Sequence, residues 1–106
     1  MSRRLDPSTA AALEILESRW AMRLLAALAP GPARFGELEA AVTGVSRRMI
    51  AERLRELEGA GLVYRPIDPG TSTKSSYRLT DDGQGLASIL AQIRPWALSR
   101  EQRAAS

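Results

Sequence analysis

Arg47, Arg48, Glu52 and Arg55 are the side chains of this sequence best placed to do chemistry, and that chemistry is recognition rather than bond breaking. They sit in SRRMIAERLRELEGAG, residues 46–61. At about 100° per residue, Arg48, Ala51, Glu52 and Arg55 share one side of a helix, with Arg47 flanking them in its first turn. Ile50, Leu54 and Leu57 follow at i, i+4 and i+7 on the opposite side, edged by Met49, so a core-facing stripe backs the basic face. Ser46 has the hydroxyl that an N-cap uses to accept from a free backbone N–H. A guanidinium fork matches guanine edges and phosphates, and the N-terminal residues of such a helix are those that reach base edges in DNA. The same pattern also suits a solvated face carrying an internal Arg48–Glu52 pair, so the surrounding elements must decide.

Other chemistries are closed off by what is missing. The chain has no cysteine and no histidine, which removes disulfides, thiol catalysis, thiol redox sensing, the usual transition-metal sites and the commonest general base. No catalytic residue, metal or cofactor is expected. At 106 residues the chain fits one domain. Only 5% of it is aromatic, so the core must be built from Leu, Ile, Val and Ala. The net charge of +3 is a modest excess, weak by itself as a sign of a polyanionic partner. Lys74 is the only lysine; the arginine bias suits nucleic-acid contacts, and a GC-rich coding background would produce it equally well. No apolar run of about 18 residues is present to span a membrane, and Asp6-Pro7 interrupts any leader after Arg3-Arg4; a cytoplasmic protein is the default expectation.

The elements that must hold the arginine face can be taken in order. Residues 1–5 read as a flexible arm and 6–106 as one domain. Asp6-Pro7 starts a helix over about 7–17, with Leu13 and Leu16 on one side and Ala12 and Ile15 on another. Two apolar sides on a short helix imply two covers, the second being another subunit. Ser18 is placed to cap a fresh helix from Arg19 to Ala29, striped by Trp20, Leu24 and Leu28, and Pro30-Gly31-Pro32 ends it. Phe35, Leu38 and Val42 mark a helix from about Gly36 to Val42. Gly44 turns the chain into the arginine-faced helix, about 46–60, which completes a helix-turn-helix.

Gly59 and Gly61 stop that helix. Residues 62–68 and 75–79 read as two strands around a polar tip, a β-wing over about 62–80, with Pro66 confining the first to an edge or bulge. Thr71, Ser72, Thr73 and Lys74 supply donors for phosphate at the tip; an ordinary exposed hairpin is the alternative. Thr80-Asp81-Asp82 caps a terminal helix over about 81–103 rather than forming an acid/base pair. Leu86, Ile89, Leu90 and Ile93 stripe it, Pro95 should kink or restart it, and Trp96 lies beyond. With Ala12 and Ile15 of the first helix, these residues make a candidate dimer interface; Trp96 folding back into the core is the alternative. Trp20 and Trp96 are candidates for lining an effector pocket.

The sequence resembles the HxlR family of winged helix-turn-helix transcriptional regulators, in the MarR and PadR neighbourhood, from about Ala12 to Leu98. The matching pieces are Arg19-Trp20, then Gly31-Pro32-x-Arg34-Phe35-x-Glu37-Leu38, then Val45-Ser46-x-x-Met49-Ile50. Arg53-Leu54-Arg55-Glu56-Leu57-Glu58-x-x-Gly61-Leu62-Val63 and Tyr77-Arg78-Leu79-Thr80-x-x-Gly83 complete them. Each piece alone is weak; their order and spacing are specific. The resemblance implies a mainly α fold with a small β-wing (α+β), a winged helix-turn-helix forming a homodimer through its N- and C-terminal helices, and no enzymatic activity. It implies a regulator of transcription, a repressor by expectation, that binds double-stranded DNA at an inverted repeat. The chain departs from the family in having no Cys before the first helix, and Glu17-Ser18-Arg19 where Gly-Gly-Lys is common.

On that reading Arg47 and Arg48 contact bases or flanking phosphates, Ala51 gives close approach to a thymine methyl, and Glu52 accepts from a cytosine amino group or braces Arg48 and Arg55. Arg53, at the edge of the core, makes a phosphate contact or a structural ion pair. Arg34 and Lys74 position rather than specify. The rival reading is a winged helix that docks a protein partner and never touches DNA.

Overall fold

Asp6 starts the first helix as its residue type predicts. Its carboxylate accepts from the Thr9 N–H at 3.0 Å and from the Thr9 hydroxyl at 2.7 Å. These bonds, the backbone one first, hold its pKa below the ordinary carboxylate value. The cap is therefore present above that ordinary value and lost only as pH falls through the lowered one. The computed structural model describes residues 3–70 and 76–106. It runs α1 (Pro7–Glu17), α2 (Ala21–Leu28), α3 (Phe35–Ala41), α4 (Arg47–Gly59), β1 (Val63–Tyr64), β2 (Arg78–Leu79), α5 (Asp81–Leu90) and α6 (Ile93–Ala105). No helix among the described residues is long and apolar enough to cross a membrane.

The core is aliphatic, as the low aromatic content requires. Leu24, Leu25 and Leu28 of α2 are fully buried at its centre, against Leu38 of α3 and Ile50, Leu54 and Leu57 of α4. Val63, Tyr77 and Leu79 of the hairpin close one side, and Ala87 of α5 another. The two strands pair antiparallel, Val63 with Leu79 and Tyr64 with Arg78. Tyr77 and Leu79 are buried while Arg78 between them is exposed, the period-two pattern of a half-buried strand. The strands are shorter than the sequence suggests. Pro66 has no N–H to extend the ladder. A third extended piece joins the sheet instead: Ala33 and Tyr77 exchange backbone bonds of 3.0 and 2.8 Å just before α3.

Two helix ends differ from expectation. The second helix begins at Ala21 rather than Arg19, because Trp20 takes a left-handed conformation with φ 78°. Ser18 closes α1 instead of opening α2, and its N–H donates to the Ile15 carbonyl at 3.3 Å. A left-handed tryptophan costs about 1–2 kcal/mol. The half-buried ring offsets this between the Arg19 and Arg23 guanidiniums, at 5.0 and 5.4 Å from its centroid. The terminal helix is in fact two. Pro95 would thrust its ring into the carbonyl four residues back, Ala91, so the helix breaks at Ala91-Gln92, upstream of the proline itself. Pro95 then sits in the first turn of α6, where a missing N–H costs nothing.

Neither α1 nor α6 contains a fully buried residue. The radius of gyration is 16.0 Å, against about 13 Å for a close-packed chain of this length. α6 therefore stands away from the core, while α1 leans on it through half-buried Ile15 and Leu16.

Candidate nucleic-acid interface

The arginine-faced helix forms where the sequence places it. The Ser46 hydroxyl accepts from the Met49 N–H at 3.1 Å, and Gly44 in the preceding turn takes φ 84°. Ile50, Leu54 and Leu57 anchor α4, leaving the opposite side to solvent. Arg48 leads that side with its side chain 89% exposed, and its Nε donates to Glu52 Oε1 at 3.3 Å. An exposed i,i+4 pair is worth about 0.3–0.5 kcal/mol. A base edge or phosphate would take Arg48 from Glu52 at little cost. The internal pair therefore does not preclude a recognition role.

Arg47 is held from the other helix of the motif. Its Nη1 lies 3.2 Å from Glu39 Oε1 on α3, and its guanidinium lies over the Phe35 ring at 5.0 Å. The pairing with Glu39 is not visible from sequence spacing, because it depends on how α3 crosses α4. Arg34 precedes α3 with its side chain exposed, and its N–H donates to Glu37 Oε1 at 3.0 Å. Arg55 is exposed on the same side as Ala51, which is half-buried.

Arg53 does not join this face. Its Nε donates to the Arg19 carbonyl at 2.8 Å, and its Nη1 lies 2.8 Å from Glu56 Oε1. Its side chain is only 19% exposed. Of the two roles open to it from sequence, the geometry is that of the structural ion pair. It ties α4 to the turn between α1 and α2. Arg53→Ala is expected to lower stability by about 1–2 kcal/mol, since a charged donor and a carbonyl lose each other. Denaturant unfolding would show this as a lower midpoint; an unchanged midpoint would mean the tie carries no load.

The wing-tip residues Thr71, Ser72, Thr73 and Lys74 lie outside the described residues. At the base of the hairpin a cleft of about 310 Å³ opens between α4 and the wing, lined by Ala51, Arg55, Glu58, Arg65 and Tyr77. Arg65 stacks over the Tyr77 ring at 4.6 Å. Sequence reading passed over Arg65 as a strand residue, and only its stacking on Tyr77 brings it beside Arg55.

The residues expected to pair subunits divide in two. Ile15, Leu86 and Leu90 are half-buried against the core. Ala12 is exposed, and so are Ile89 at 67%, Ile93 at 52% and Trp96 at 58%. Trp96 is thus not a core residue of the single chain; the Arg100 guanidinium lies 5.5 Å from its ring centroid. A largely apolar cleft of about 600 Å³ lies between α2 and the α5–α6 junction, with Met22, Leu90 and Ile93 in its wall and Arg23 and Arg94 beside them. A second, of about 310 Å³, lies between α1 and α4. Neither Trp20 nor Trp96 lines either cleft.

Comparison with known proteins agrees with this geometry. The family model for the HxlR-like helix-turn-helix matches residues 15–104. The HTH-type transcriptional regulator YvaP of Bacillus subtilis is 44% identical over 86 residues, covering 81% of this chain and 80% of that one. YodB of the same organism, also an HTH-type transcriptional regulator, is 34% identical over 97 residues, covering 92% and 87%. The structure of reduced YodB superposes with a TM-score of 0.75 at 34% identity, over 89% of this chain and 92% of that one. The redox regulator HypR in its reduced form gives 0.78 at 28% identity, over 92% and 96%.

Proposed function

From the HxlR-like helix-turn-helix family, to which this chain belongs, we propose a specific role: a transcriptional repressor that binds an inverted-repeat operator as a homodimer. The family is one of transcriptional regulators and not an enzyme class. One observation carries the reading. Arg48, Glu52 and Arg55 present charged groups to solvent along the side of α4 opposite a fully buried stripe, with Arg48 in the first turn of the capped helix. Two guanidiniums outnumber the one carboxylate among these three, which favours an anionic partner over a protein surface lacking acidic groups.

Pairing through α1, α5 and α6 would cover Ile89, Ile93 and Trp96. It would set two copies of α4 in successive major grooves, about 34–36 Å apart on one face of DNA. In this arrangement Arg48 reads a base edge, Arg47 and Arg34 touch flanking phosphates, and Glu52 accepts from a cytosine amino group or steers Arg48. Lys74 and the threonines and serine beside it belong to the wing tip and position the complex without reading sequence.

YodB has been captured in reduced, diamide-treated and quinone-bound forms. This chain has no cysteine, so no effector can act on it through a thiolate. An effector would instead shift the angle between the two reading helices by binding one arrangement better than the other.

The test sets Arg48→Ala against Lys74→Ala on an operator selected from random duplexes. The first is expected to cost about 1–3 kcal/mol and to relax preference at one base position. The second is expected to weaken all sequences alike and to flatten the salt dependence by about one unit. If both variants lose specific and non-specific binding equally, Arg48 does not read bases.

A further inference from the structure

Three features lie outside the roles already described: the apolar cleft beside α2, the cleft between α1 and α4, and the polar cleft between α4 and the hairpin. The third carries an inference. Ala51, Arg55 and Glu58 lie at i, i+4 and i+7, so they form one flank of α4, immediately beside the Arg48–Glu52 face. Across from them, Arg65 is half-buried, with its guanidinium 4.6 Å from the Tyr77 centroid and its Nη1 3.5 Å from the Tyr77 hydroxyl oxygen. Tyr77 is itself buried and pinned by its backbone bonds to Ala33. The stack therefore helps hold the guanidinium of this cleft-lining residue on a rigid platform.

Two guanidiniums from different elements thus line a single cleft of about 310 Å³. At about 30 Å³ per water, that is room for a phosphate group with part of its hydration. Guanidinium forks match phosphate oxygens bidentately, and a planar fork already held by stacking loses little freedom on binding. A helix seated in the major groove has the phosphate backbones as its walls.

We infer that Arg55 and Arg65 close together on one backbone phosphate of bound DNA, in the cleft between α4 and the β-hairpin, with Tyr77 as the positioning residue for Arg65. The inference rests on the DNA-binding reading above and adds a contact to it. Glu58 shares the lining and opposes the phosphate, so it sets how tightly the clamp holds.

Fluorescence anisotropy of a labelled random-sequence duplex, titrated with the full chain across a salt series, tests this. Arg65→Gln and Arg55→Gln are each expected to weaken binding several-fold and to flatten the salt slope by up to about one unit. Because both address the same phosphate, the double variant should also lose about one unit rather than two. Glu58→Gln, an exposed helix substitution that leaves the core untouched, should bind more tightly than wild type. Thermal melts establish that each variant is folded. A folded Arg65→Gln chain with the wild-type affinity and slope overturns the clamp; so does a double variant that loses two units, or Glu58→Gln without effect should Arg65→Gln fail to fold. A wild-type chain that binds no duplex at all ends the DNA-binding reading itself, which separates the two failures.

Discussion

Gly83→Ala is expected to cost about 3 kcal/mol of folding stability, while Gly85→Ala, two residues along the same helix, is expected to add a little. A Cβ at Gly83 would fall on the carbonyl oxygen of Leu62, with the Leu62 carbonyl carbon and Leu79 Cδ2 each 3.1 Å away. Backbone cannot rotate aside as a flexible side chain can. The start of α5 must therefore shift, and overpacking of that kind costs about 1–3 kcal/mol. The shift also strains the bonds that seat α5 on the hairpin. The Thr80 N–H donates to the Leu62 carbonyl at 3.0 Å, and the Thr80 hydroxyl donates to the Gly61 carbonyl at 2.6 Å. Each such bond is worth about 0.5–1.5 kcal/mol net. The total is a large fraction of the roughly 5–15 kcal/mol that holds a small domain together. Gly85 meets no atom within 4 Å of an added Cβ, so alanine there only improves helix propensity, by about 0.5–1 kcal/mol. Thermal or urea unfolding of the pair gives the check. Equal midpoints would mean the α5–hairpin contact is softer than it looks.

Ile93→Asp is expected to abolish pairing of the chain and to lower operator affinity by about 10²-fold or more. Ile93 is 52% exposed in the single chain, as are Ile89 at 67% and Trp96 at 58%. A carboxylate there would be desolvated in a subunit seam without a partner. The same change is harmless to the lone chain. Position 93 opens α6, where the helix dipole favours an acid, and exposed substitutions shift stability by about 0.5 kcal/mol or less. A dimer engages its second half-site at high effective concentration, an advantage of about 10²–10⁴ that one copy forgoes. Sedimentation velocity and anisotropy on the same samples separate the steps. A variant that still sediments as a dimer, or a wild-type chain that is monomeric yet binds a full inverted repeat tightly, would rule out this seam.

Some features of the chain were legible because their causes are local. Asp6 with Thr9, Ser46 with Met49, and Thr80 with Gly83 are caps whose partners lie three residues away. The stripe of Ile50, Leu54 and Leu57 repeats at the helical period, so the buried side of α4, and hence the exposed arginine side, followed from spacing. The order of these pieces was enough to reach the family and its winged helix-turn-helix architecture. Pro95 announced a break, though not its position.

What remained needed residues far apart in the chain to meet. Trp20 adopts a left-handed backbone only where Arg19, Arg23 and the core together hold its ring. Arg53 turned inward because the Arg19 carbonyl, 34 residues earlier, arrives within 2.8 Å. Arg47 met Glu39, and Arg65 came to lie beside Arg55, for the same kind of reason. The sequence by itself determined which helix faces water and carries the arginines, since periodicity and capping act over a few residues. Only the tertiary structure decided how each of those arginines is held, Arg53 tied to the Arg19 carbonyl and Arg47 drawn to Glu39 of α3, since such a contact depends on the crossing of helices that no local rule specifies.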